Sequence, residues 1–176
     1  RGEPIPTLEE GLAVVPDGKM MFIELKVGPE IVGPMLQAID ESQLRIEQIV
    51  VISFGAETIA ECERLRPALR TQWLTDYKQQ DDGAWRPSEE TVTATLLRSG
   101  ADALGSKANP AVLDRSFLQN LCAAQRCEFG VWTVDDPELA QFYIDHGAWS
   151  VTTNRPAWLR QQLAERAAAA APAAGP

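Results

Sequence analysis

The run Ile49-Val50-Val51-Ile52-Ser53-Phe54 constrains the fold most. It is β-branched and lacks polar alternation, so it fits a strand covered on both faces, as in a parallel sheet. Gly55 ends it, and Glu57 to Arg66 follows with Ile59, Cys62 and Leu65 at helical spacing, stopped by Pro67. This strand-then-helix unit recurs along the chain. Phe22–Lys26, Arg70–Leu74, Ala101–Gly105, Glu128–Val134 and Trp149–Thr153 read as the other strands. Helical patterns follow each, over 30–42, 87–98, 114–124, 136–146 and 156 to about 170.

Local chemistry marks the boundaries. Thr7 with Glu10 three residues on is a capping-box start for a short leading helix to about Val15. Asp136-Pro137 is an N-cap followed by proline at the first helical position, and Gly147 is a C-terminal stop. Asp76 to Arg86 is polar, with Asp81-Asp82-Gly83, and reads as a long loop. The alanine-rich stretch 167–176 ends in Pro and Gly and is expected to fray, leaving 1–166 as the folded domain.

Six strands, each followed by a helix, imply parallel strands joined by right-handed crossovers. No glycine-rich fingerprint follows any strand, which weakens a nucleotide-binding open sheet. A whole (β/α)₈ barrel takes about 250 residues. The expected fold is therefore an incomplete (β/α)₈ TIM-type barrel of about six units within 176 residues. The opening Arg1-Gly2-Glu3-Pro4 is no signal peptide, so the chain is expected to start mid-protein.

Composition excludes several functions. The net charge of −9 opposes general binding to nucleic acid or anionic lipid. No run is apolar enough to cross a bilayer. The odd count of 3 cysteines argues against a disulfide framework, and no histidine stands at a zinc spacing from Cys122 and Cys127. Buried thiols are expected.

Ligands of a parallel α/β fold bind at the C-terminal ends of the strands. Glu24 and Lys26, Ser53 and Phe54, Trp73, Gly105, Trp132 and Thr133, and Thr152 to Asn154 fall there. Alternation puts Phe22, Glu24 and Lys26 on one face and Ile23 and Leu25 on the other. Glu24 and Lys26 are either a structural pair at the sheet rim or the polar part of a cleft. Trp132 is either a wall for a ligand's carbon skeleton or a core residue under a loop. Asp135 and Asp136 read as caps, as do Asn154 and Arg155. His146, the single histidine, falls at a helix end on the opposite face, where an imidazolium suits the helix dipole.

Several motifs in order resemble the glycerophosphodiester phosphodiesterase family. They are Ile5-Pro6-Thr7-Leu8-Glu9-Glu10, Phe22-Ile23-Glu24-Leu25-Lys26, Val51-Ile52-Ser53-Phe54, Gly100-Ala101-Asp102-Ala103, Val131 through Pro137, and Thr152-Thr153-Asn154-Arg155-Pro156. The resemblance implies a distorted (β/α)₈ barrel that hydrolyses glycerophosphodiesters to an alcohol and glycerol 3-phosphate. It makes Glu24 a ligand of Mg²⁺ or Ca²⁺, places Lys26 near the substrate phosphate, and makes Phe54 and Trp132 walls of the pocket. Asn154 stands where the family often has Asp and takes no role. The family's His-Arg-Gly motif, Glu-Asn pair, Glu-x-Asp ligands and second catalytic histidine precede the Pro-Thr-Leu-Glu-Glu segment and are absent from this sequence. The chain is thus expected to be a piece of such an enzyme, inactive alone, with exposed strand edges that favour aggregation or pairing with a second copy. The alternative is a non-catalytic barrel relic that binds a ligand or partner.

Overall fold

A computed structural model describes residue 2 and residues 4–123 and 128–170. Helix α1 (Leu8–Ala13) leads. Six β/α units follow: β1 (Met21–Glu24) and α2 (Val32–Glu41); β2 (Ile49–Ser53) and α3 (Ala56–Leu65); β3 (Arg70–Thr75) and α4 (Glu89–Ser99); β6 (Ala103–Lys107) and α5 (Arg115–Ala123); β7 (Phe129–Trp132) and α6 (Pro137–Asp145); β8 (Ser150–Val151) and α7 (Pro156–Ala170). Two short strands, β4 (Lys78–Gln79) and β5 (Trp85–Arg86), lie between β3 and α4. The fold class is an incomplete (β/α)₈ TIM-type barrel, as the alternation predicts.

The chain divides into two compact units. One takes the residues up to Thr75 with Pro87–Leu104, and the other takes Asp76–Arg86 with the residues from Gly105 on. In the first, β1, β2 and β3 pair in parallel with Ile23 beside Val51 and Val51 beside Thr71. That register sorts the side chains. Met21, Ile23, Ile49 and Val51 face the helices and join Leu12, Val32, Met35, Leu36, Ile39 and Cys62 in one apolar core. Burying each large aliphatic side chain contributes roughly 1.5–3 kcal/mol. Phe22, Val50 and Arg70 form a row on the other face, as do Glu24, Ile52 and Gln72.

Polar side chains fix the edges of this unit. The capping box at α1 forms, with Glu10 N donating to Thr7 Oγ1 at 3.3 Å and Thr7 N donating to the Glu10 carboxylate at 2.8 Å. Thr71 N donates to Asp102 at 2.8 Å, tying the start of β3 to the residue just before β6, and Thr71 Oγ1 donates to Glu63 on α3. Gly100 ends α4 in the left-handed conformation, φ 75°, and an added Cβ there would press on the Glu63 side chain at 3.2 Å.

In the second unit β7 and β8 pair in parallel, Gly130 beside Ser150. Phe129 and Tyr143 are buried there in an edge-to-face contact, centroids 6.5 Å apart. Asp136 caps α6, accepting from Leu139 N at 2.8 Å. His146 Nδ1 lies 2.7 Å from the Phe142 carbonyl and its ring stacks 4.3 Å from Phe142, in keeping with a helix-end role.

Some expectations are corrected. The segment 76–86 is not plain loop, because Gln80 N and Ala84 O close an antiparallel β4–β5 hairpin around Gly83 at φ 78°. β6 starts two residues later than the pattern suggests, so Gly105 is buried inside the strand and Lys107 ends it. The small residues Ala101 and Gly105 hid that boundary. Leu65 is 39% exposed, at the last turn of α3, while Ile59 and Cys62 are fully buried. Burial raises the Cys62 thiol to about 11, which keeps it protonated and inert. Residues 167–170 continue α7 as helix. The rest of the tail lies outside the described residues, as do Cys127 and the side chain of Cys122.

Ile59→Ala is expected to cost about 2–5 kcal/mol in urea unfolding, and Leu65→Ala to stay within about 0.5 kcal/mol. Equal losses at the two positions would contradict the assigned inward face of α3.

Candidate functional site

β1 ends at Glu24, and the chain turns away through Gly28, whose N–H donates to the Glu30 carboxylate at 3.2 Å. Lys26 lies beyond the strand, so strand alternation does not set its direction. Its Nζ reaches back to donate to Glu24 Oε1 at 2.8 Å. The Lys26 side chain is 75% exposed and that of Glu24 31%. A solvated pair of this kind contributes only ~0–1 kcal/mol to stability. Both groups therefore stay available to a ligand at little cost to the fold.

The ends of β1 and β2 are held together by a chain of hydrogen bonds. Leu25 N donates to Ile52 O at 2.9 Å, Ser53 Oγ to Leu25 O at 2.7 Å, and Thr58 Oγ1 to Val27 O at 3.3 Å. Gly55 N donates to Ser53 Oγ at 3.1 Å. An added Cβ at Gly55 would lie 2.9 Å from Thr58 Oγ1, so this tight turn into α3 needs glycine. Phe54, just past β2, is 52% exposed, and its carbonyl accepts from buried Trp73 Nε1 at 3.1 Å. Trp73 is thus a support beneath Phe54 and not a rim residue.

These segments enclose an open cleft of about 890 Å³ lined by Glu24, Lys26, Ser53, Phe54, Thr58 and, from α4, Arg98. The cleft brings together four of the residues singled out in the sequence: Glu24, Lys26, Ser53 and Phe54. Arg98 was missed, because a basic residue near a helix C-terminus reads as ordinary dipole compensation. Lys26 and Arg98 offer positive charge to a small anion and Phe54 an apolar ring to its carbon chain, in a lining that also carries the carboxylates of Glu24 and Glu57. A hard divalent ion is a different matter, since Mg²⁺ and Ca²⁺ take six or more oxygen ligands. Among the described residues no group of three or more His, Cys, Asp or Glu gathers. Glu24 and Glu57 are the two carboxylates of the lining, and by themselves they do not fit the ion that the resemblance implies.

Trp132 closes β7 in the second unit, where it is half-buried; the Trp132–Thr133 peptide is cis. The Trp132 carbonyl accepts from Ala108 N at 2.7 Å. Two residues on, Asp135 is not a cap. Its carboxylate accepts from Thr153 Oγ1 at 2.7 Å, Asn154 N at 2.8 Å and Asn154 Nδ2 at 2.8 Å. It therefore ties the loop after β7 to the loop after β8. Asn154 donates to Asp135 in place of the capping role expected of it, and Thr153 Oγ1 accepts from Arg155 N at 3.1 Å. The Arg155 guanidinium lies 3.8 Å above the Trp158 ring. The hydrogen bonds from Asn154 and Thr153 lower the Asp135 pKa.

Solved structures share this fold. A glycerophosphodiester phosphodiesterase from Parabacteroides distasonis superposes with a TM-score of 0.65 at 24% identity, over 94% of this chain and 67% of its own. An Oleispira antarctica phosphodiesterase in complex with the product sn-glycerol-3-phosphate gives 0.69 at 14% identity, over 90% and 61%. A glycerophosphodiester phosphodiesterase from Thermotoga maritima gives 0.64 at 17%, over 89% and 63%. The fold is that of the glycerophosphodiester phosphodiesterases. At these identities the likeness is one of fold, and the chain spans about two thirds or less of the length of each glycerophosphodiester phosphodiesterase-fold structure. No family pattern matches the sequence, and no characterised protein matches it in sequence.

The lowered pKa of Asp135 fixes a sign. The fold favours the ionised carboxylate, so its contribution is present above the ordinary carboxylate range and is lost as pH falls through the folded value. The melting-temperature gap between wild type and Asp135→Asn is expected to be widest near neutrality and to shrink below about pH 4. A gap that holds constant from neutral to strongly acid pH would contradict the clamp.

Proposed function

We propose that this chain carries the phosphate-binding part of a phosphoric diester hydrolase acting on glycerophosphodiesters, a reaction of lipid and glycerol metabolism. The single observation behind the reading is the cleft at the ends of β1 and β2. It sets Lys26 and Arg98 beside Glu24 and the exposed ring of Phe54, in a fold shared with phosphodiesterases. Water would add at phosphorus, the phosphorus–oxygen bond to the alcohol would break, and the alcohol oxygen would leave with a proton. Lys26 would hold a phosphoryl oxygen by a charge-assisted hydrogen bond. Phe54 would cover the carbon skeleton. By the resemblance Glu24 would give one oxygen to Mg²⁺ or Ca²⁺, whose other ligands the described residues do not supply.

The same observations predict that the chain alone does not turn over. General acid–base catalysis of this reaction needs positioned proton carriers, and the one histidine, His146, is held at the end of α6. This favours a second reading, in which the barrel is a non-catalytic relic that binds a ligand or partner.

Calorimetric titration with glycerol 3-phosphate and Mg²⁺ separates the outcomes. Binding by the wild type is expected, weakened about tenfold or more by Lys26→Ala, as for loss of a hydrogen bond from a charged group. No binding by the wild type would overturn the phosphodiesterase reading. A coupled glycerol 3-phosphate assay with a glycerophosphodiester should give no product. Hydrolysis abolished by Glu24→Gln would overturn the inactivity of the isolated chain.

A further inference from the structure

Strand β3 is buried along its length after Arg70, yet carries a polar residue at its centre. Gln72 is 3% exposed, and its Nε2 has no hydrogen-bond partner among the described residues. A buried amide donor left without a partner is costly, and folded proteins avoid it. Three buried polar side chains nearby do have partners. Ser53 donates to Leu25 O, Thr58 to Val27 O, and Thr71 to Glu63.

The strand register says where this amide lies. Glu24 pairs with Ile52 and Ile52 with Gln72, so the three side chains project from the same face. It is the face opposite the helices, since Ile23 and Val51, one residue earlier in the same ladder, enter the helix-side core. Ile52 between them is only half-buried, which leaves that face accessible beside Glu24. Adjacent strands stand about 4.8 Å apart, so Glu24 and Gln72 are separated by roughly 10 Å across the sheet. A three-carbon phosphate ester with its hydroxyls reaches across such a gap.

We propose that Gln72 is a ligand-binding residue of the Glu24 face, its side-chain amide donating to a hydroxyl or phosphoryl oxygen of the bound phosphate ester. Gln72 is not itself a lining residue of the cleft; it stands two strands from Glu24 on the same face of the sheet. The proposal rests on the reading of the cleft as a phosphate-ester site and deepens it by naming a specificity residue beyond its edge. The amide would then find its acceptor in the bound ester. An ester lacking the hydroxyl would leave the amide buried and unpaired and be rejected.

The test uses the full chain with Gln72→Met, which keeps the length of the side chain and removes the donor, and Gln72→Leu as a second variant. Affinity for glycerol 3-phosphate is read by calorimetry and unfolding by thermal melts without ligand. The expected result is a tenfold or greater loss of affinity with a melting temperature equal to or above that of the wild type. Unchanged affinity in both variants, with the wild type binding, would overturn the role of Gln72 and leave the phosphate-ester reading intact. A lowered melting temperature in both variants would also overturn it, because the amide would then have a partner within the fold. If the wild type does not bind glycerol 3-phosphate, the phosphate-ester reading falls and the role of Gln72 with it.

Discussion

The parallel register of β1, β2 and β3 is the constraint on which the first unit depends. A shift of one residue would exchange its faces. Ile23 and Val51 would leave the apolar core, and Glu24 and Gln72 would enter it without partners. The helix-side core and the polar row are therefore one choice seen from two sides. The cost of misplacing Glu24 and Gln72 adds to the gain from burying the aliphatic residues, and both select the same pairing.

The strand ends carry the consequences. Hydrogen bonds from Ser53, Thr58 and Leu25 fix the segment that presents Glu24 and Lys26, while the ion pair itself is solvated and weak. Rigid support beneath a loosely held pair is what a binding site requires, because a ligand can replace one partner of the pair without disturbing the frame. The second unit uses a comparable device. Asp135 gathers three hydrogen bonds from the loop after β8, and so holds the segment that follows Trp132. Its carboxylate does what backbone pairing cannot do once β7 and β8 have ended.

Much of this was legible in the sequence where local chemistry dictates the outcome. The capping box at Thr7, the Asp136-Pro137 start of α6 and the uninterrupted β-branched run of β2 each leave one good solution. The six-fold β/α alternation then gave the barrel class. The misreadings have a common cause. Ala101, Ala103 and Gly105 are small and leave no clear period, so the start of β6 was set by pairing rather than by pattern. The β4–β5 hairpin is two residues long on each side and has no apolar signature. Asp135 looked like a cap because its neighbour is one, and its partners lie 18 and 19 residues away. Glu24, Lys26 and Phe54 were placed correctly at strand ends by topology. Gln72 was passed over because a single polar residue in a short strand looks like tolerance, and only burial without a partner marks it out.

The central claim is that the cleft at the end of β1 receives a phosphate ester. A crystal structure of the chain grown with glycerol 3-phosphate and Mg²⁺ tests it most directly. The account predicts the phosphate within hydrogen-bonding distance of Lys26 Nζ, with the Glu24–Lys26 pair opened and the glycerol portion running along the face that carries Ile52 toward Gln72. A phosphate bound away from β1, or an undisturbed Glu24–Lys26 pair with the ligand elsewhere, would contradict it.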